Sequence, residues 1–165
     1  MVSGPSVTPD RAPTLVTYNN ILMQTFNQRK KAAMDAYEVF HTASTPPLPA
    51  GAAFPASYVG SRLQMVAKAI QGHAAMGAKR QTFFIQFGGW DHHSGVLNFQ
   101  GQMLPQVSAA IGAFQAALTA MGLQDKVTLF TASDFGRSLT SNGQGSDHAW
   151  GGNAFGQTTV PAGIA

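Results

Sequence analysis

A chain of 165 residues has room for one domain with a core, or for part of a larger one, and not for two comfortable domains. Ten Lys and Arg against seven Asp and Glu give a formal charge of +3, and charged residues make up only 10%, so the basic balance reflects scarce acids. The basic clusters Arg29-Lys30-Lys31 and Lys79-Arg80 lack interleaved aromatics, which argues against a nucleic-acid groove, and the absence of cysteine excludes disulfides, thiolate zinc sites and cysteine nucleophiles.

Met1 to Pro13 contains neither a basic n-region nor an apolar h-region, so no signal peptide is expected in this stretch. From Tyr18 to His41 the residues Tyr18, Leu22, Phe26, Ala33, Tyr37 and Phe40 fall on one stripe at helical spacing. This predicts an amphipathic helix packed against something else. Thr42 to Ala56 holds Pro46, Pro47, Pro49 and Pro55 and reads as a surface linker. Ser57 is placed to cap a second helix with the face Val59, Leu63, Val66, Ile70 and Ala74, ending near Gly77. His73 lies beside that face and reads as a surface or half-buried histidine.

Thr82 to Phe87 is a short apolar run read as a buried strand. The pair Gly88-Gly89 breaks it and lets the backbone turn out of a sheet, so that Trp90 packs while Asp91 and His93 project. Their oxygen and nitrogen atoms suit a divalent cation; a turn capped by Asp91 with two surface histidines fits the same triplet. A third helix is predicted from about Phe99 to Met121, with the stripe Leu104, Val107, Ile111, Phe114, Leu118 and Met121, Pro105 in its first turns or kinking it, and Gly122 at its end. The uncharged run Ser94 to Gln124 carries too many Gln, Ser and Thr for a bilayer span. Val127 to Thr131 is a second β-type run, leading into Ser133-Asp134-Phe135-Gly136-Arg137.

Strand, helix, strand predicts a right-handed βαβ unit with parallel strands, hence an α/β fold. Parallel strands end on one side of a sheet, so Asp91 and His93 should meet Ser133 and Asp134, with the loop Gly145-Ser146-Asp147-His148-Ala149-Trp150-Gly151-Gly152 folding over the same edge. The expected organisation is one incomplete domain: residues 1–57 as helix and linker, 58–152 as core, and 153–165 as an irregular tail.

The succession F-G-G-W-D-x-H, crossover helix, V-T-L-F-T-A-S-D-F-G-R and N-G-x-G-S-D-H-A-W-G-G resembles the bacterial domain-of-unknown-function family numbered 1501. That family usually reads G-x-D-T-H, S-E-F-G-R and G-T-D-H-G at these places. The match runs from about Val59 to Gly152. The family is grouped by fold with alkaline phosphatases, sulfatases and cofactor-independent phosphoglycerate mutases, and this implies a partial alkaline-phosphatase-like sheet.

Position by position, the resemblance implies metal ligands at Asp91, His93, Asp134 and His148, and Asp147, beside the last, is counted in the candidate metal set. His92 replaces the family's Thr, and Phe135 stands where the superfamily has a histidine. The implied cofactor is a divalent ion: zinc, magnesium, manganese or calcium. Arg137 either holds a substrate oxyanion or pairs with Asp134. Family members resemble proteins more than twice this length, and their L-R-G-G-x-D-G-like stretch, which lies near the nucleophile in catalytic relatives, has no counterpart between Met1 and Gln81. The chain therefore reads as a segment completed by the rest of a larger domain or by another chain.

Three readings remain. One is a metal-dependent phosphate or sulfate ester hydrolase acting on a small anionic ester in its full-length form, with the isolated segment inactive. Ser94, Ser133 and Ser138 have no identifiable base and read as turn or capping residues. The second is a non-catalytic envelope protein that keeps the fold to bind a ligand or partner. In the third the motifs are structural only, with Asp91 capping a turn, Asp134 paired to Arg137 and Asp147 holding the glycine loop. Twin-arginine export signals in relatives imply a periplasmic or exported location.

Overall fold

The structure is a computed structural model describing residues 20–152 and 156–157. The Pro-rich lead-in, Tyr18 at the expected helix start and most of the 153–165 tail lie outside the described residues. The chain divides into two compact units, residues 1–42 and 43–165.

Helix α1 is Ile21–Ser44. Asn20 opens it, its side-chain oxygen accepting from Leu22 N at 2.9 Å, and a Lys31–Asp35 pair at 2.7 Å lies along its surface. Leu22, Phe26, Tyr37 and Phe40, expected to pack, are exposed side chains. Helical spacing aligned them, but spacing alone does not supply a covering surface.

Helix α2 is Tyr58–Gln71, capped by Ser57, whose hydroxyl accepts from Gly60 N. Helical turns continue past it to Gly77, which has a positive φ of 63°. There Gly77 N donates to Ala74 O and Ala78 N to His73 O, the two bonds of a Schellman ending. Ala74 therefore lies beyond α2 and is exposed. His73 Nδ1 bonds the Ile70 carbonyl.

Helix α3 is Val96–Ala120, starting three residues earlier than predicted, with Pro105 inside it. Gly122, at φ 68°, ends it through the same pair of bonds, Gly122 N to Thr119 O and Leu123 N to Leu118 O. Val59, Leu63, Ala67 and Ile70 of α2 interlock with Ala110, Phe114, Ala117 and Leu118 of α3 to form the core. Phe114 is its largest fully buried side chain. None of the helices among the described residues is long and apolar enough to cross a membrane.

After a 3-10 turn at Gln124–Lys126 come four short strands: β1 Leu129–Phe130, β2 Gly136–Arg137, β3 His148–Ala149 and β4 Gly156–Gln157. β1 pairs antiparallel with β4, which lies in the tail expected to be irregular, and β2 pairs antiparallel with β3. Among the described residues the fold is thus mixed α/β, with three helices and two small antiparallel sheets.

The parallel pairing of 82–87 with 127–131 is not formed among the described residues. Residues 82–87 have no ladder at all, although Ile85 and Phe87 reach the α2–α3 core, as do Val127 and Leu129, while Phe84 faces outward. The side chains alternate as a strand's would. Hydrophobic spacing sets which face is covered; it does not name the neighbouring strand, which backbone hydrogen bonding must supply.

Candidate metal centre

Gly89 has φ 92°, a conformation that a side chain resists, and this bend ends the extended run. Trp90 meets Phe87 edge-on at 5.7 Å, and Phe87 stacks on Tyr58 of α2, so the loop is fastened to the core side just before Asp91. On the other side of the loop the turn 141–145 presses close. Asn142 Nδ2 donates to His93 O at 3.0 Å, and Val96 N donates to Gln144 O. At Gly145 a Cβ would lie 2.8 Å from His93 O, so only glycine permits this approach.

The β2–β3 hairpin brings the remaining groups. Its register sets Arg137 opposite His148. Asp91 Oδ1 lies 2.6 Å from His148 Nε2, 3.0 Å from His93 Nε2 and 3.0 Å from Arg137 Nη2. His93 Nδ1 is 3.0 Å from Asp147 Oδ1. One ligand atom from each of Asp91, His93 and His148 falls within 4.8 Å of the others, and all three residues are exposed.

The Asp91 carboxyl is held below its ordinary pKa, first by the hydrogen bond to His148, with the charges of His148 and His93 and the Arg137 bond adding to it and desolvation opposing. His93 has a carboxylate at each ring nitrogen. A neutral imidazole has only one N–H to offer. A cation bound through Nε2 would leave Nδ1–H to Asp147, the arrangement by which carboxylates orient metal-bound histidines. Two imidazoles and a carboxylate also match the donor set of three-ligand zinc sites that keep one position open.

Neither Asp134 nor Asp147 is in this group; Asp147 stands behind His93 Nδ1 instead. Asp134 is exposed in the bend between β1 and β2, and the partner of Arg137 is Asp91 rather than Asp134. The Arg137 fork is also used on the carbonyls of Trp90 and Ser146, so it ties three segments together. The hairpin register delivers Arg137 to the Asp91 loop.

Ser133 Oγ bonds Phe135 O, and Ser138 Oγ accepts from Thr140 N, which are turn contacts. Sequence reasoning missed the work of Phe135, whose ring stacks on His148 at 4.2 Å and 9°, and that of Asn142. An Asn-Gly pair before Gly145 marks a tight turn, but nothing local shows what it touches.

The family described as Protein of unknown function (DUF1501) matches residues 11–156. The chain belongs to this family. Comparison with curated proteins and with solved structures returns no match. The stretch shared with DUF1501 includes all three helices and every residue of the cluster.

Proposed function

We propose that this DUF1501 chain supplies the metal-holding rim of a larger alkaline-phosphatase-like domain, with Asp91, His93 and His148 as ligands of one divalent cation. The observation that carries this reading is the convergence of Asp91 and His148, 57 residues apart, with His93 on one small patch. Asp147 would orient His93, and Phe135 would fix the ring plane of His148. Imidazole donors favour zinc or another transition metal over magnesium or calcium. Such an ion would polarise a bound ester oxygen and stabilise a leaving group.

The half-covered run 82–87, strand-like in its side chains but without a ladder, supports a sheet completed by strands from the rest of the domain or from another chain. Ser133 and Ser138 are engaged in turns, which supports a nucleophile supplied by another segment. The isolated chain is accordingly inactive, and the complete exported or periplasmic protein hydrolyses small phosphate or sulfate esters. Calorimetric zinc titration of the chain, beside turnover of aryl phosphate and aryl sulfate by the full-length parent, tests both halves. Absence of zinc binding removes the metal centre; a metal-loaded but inactive parent removes the hydrolase.

One observation favours a second reading, a non-catalytic binding protein. Arg137 spends its guanidinium on Asp91, Trp90 and Ser146, which leaves it poorly placed to hold a substrate oxyanion. Capture of a stable partner by the parent, undisturbed by Asp91→Ala and His148→Ala, would select this reading.

A further inference from the structure

His92 stands between two members of the cluster, yet its ring goes the other way. It is about nine-tenths buried, lies 4.9 Å from the Phe99 ring at an angle of 7°, and has Trp90 on a second side at 6.5 Å. Its Nε2 is buried without a hydrogen-bond partner. Phe99 belongs to the first turn of α3, and its ring also lies against Gly95, where an added Cβ would come within 3.2 Å. The loop is therefore registered against the helix whose other end forms the core.

We infer that His92 is a positioning residue, whose ring, wedged on Phe99, turns Asp91 and His93 outward to a common side. The inference rests on the metal reading of that cluster. The ring acts through its face: an unpartnered Nε2 contributes no hydrogen bond to lose, so a phenyl ring should replace it, whereas a small side chain should not. A tight turn, with His92 N donating to Trp90 O at 2.9 Å, sets His92 between Asp91 and His93, whose Oδ1 and Nε2 lie 3.0 Å apart, so seating the middle ring decides where the outer two point.

The test compares the full chain with His92→Phe and His92→Ala in zinc titrations, in visible spectra with cobalt substituted for zinc, and in ring resonances of His93 and His148 in metal-free protein. The expected result is that His92→Phe binds zinc within about threefold of the parent chain and keeps its cobalt spectrum. His92→Ala should bind about 10- to 100-fold more weakly, the loss typical when support of a metal ligand is removed, with an altered spectrum. Should His92→Ala prove unfolded by circular dichroism, Phe99→Leu removes the same stack from the helix side and is expected to reproduce the weakened binding.

Equal zinc affinity in the parent chain and a folded His92→Ala, or in Phe99→Leu where that variant replaces it, overturns the inference. A His92→Phe variant as weak as His92→Ala overturns it as well, because a ring nitrogen and not the ring face would then be what matters. If the parent chain binds no zinc, the metal reading fails by itself. The metal-free resonances then decide: His93 and His148 lines moved by His92→Ala and restored by His92→Phe uphold the positioning role, and unmoved lines refute it.

Discussion

Arg137 Nη2 lies 3.0 Å from Asp91 Oδ1 across 46 residues of sequence, and the same side chain donates to the carbonyls of Trp90 and Ser146. Only 18% of it is exposed. The contact to Asp91 is partly screened by solvent, so most of the stabilisation comes from the carbonyl bonds. Arg137→Ala should lower unfolding free energy by about 2 kcal/mol, from hydrogen bonds that a charged donor makes to buried-side carbonyls. Arg137→Lys should recover less than half, since an ammonium lacks the planar fork. Urea unfolding curves check both.

Asp91→Ala and His148→Ala should each abolish zinc binding in calorimetry, while Asp147→Asn, which alters only the support of His93 Nδ1, should weaken it about 10- to 100-fold. Asp134→Ala, outside the ligand group, should bind like the parent chain.

Because the Asp91 pKa is lowered in the folded state, the unfolded chain takes up its proton first as pH falls. Its contribution to stability is therefore fully present above the ordinary Asp value of about 3.9 and is lost as pH drops through the lower folded value. The stability difference between the parent chain and Asp91→Asn should shrink as pH falls below about 4. A difference that disappears between about pH 7 and about pH 5 would contradict this assignment.

Gly145→Ala places a Cβ 2.8 Å from His93 O and 3.0 Å from His92 O, against backbone that cannot step aside cheaply. A loss of about 1–3 kcal/mol is expected from such overpacking, with zinc affinity falling in parallel because the turn 141–145 no longer seats on the Asp91 loop. Gly143→Ala, with open space around its Cβ but φ 93°, should cost stability through backbone strain alone and leave zinc affinity near that of the parent chain.

Helical periodicity, a Ser cap and well-placed glycines made all three helices legible: the Ser57 cap, the end at Gly122 and the Leu63, Ile70, Phe114 and Leu118 core positions are local or periodic signals. The run 82–87 was legible only in part, since its alternating faces are a local property and its hydrogen-bonding partner is not. Asp134 shows the same limit within the cluster. It belongs to a segment that leads toward the site, yet Arg137, three residues on, is the one that reaches Asp91.

The sequence by itself determined which stretches coil, where they stop, and that acids and imidazoles gather after Gly89 and before Gly151, because these follow from side-chain period and backbone freedom within a few residues. Only the tertiary structure decided that β2 pairs with β3 in the register setting Arg137 opposite His148, that Asp147 stands behind His93, and that Phe135 and His92 turn their rings to different supports. Those choices depend on hydrogen bonds and ring contacts between different segments, from His92 on Phe99 to Asp147 on His93, 54 residues away, and such pairings leave no periodic mark in the chain.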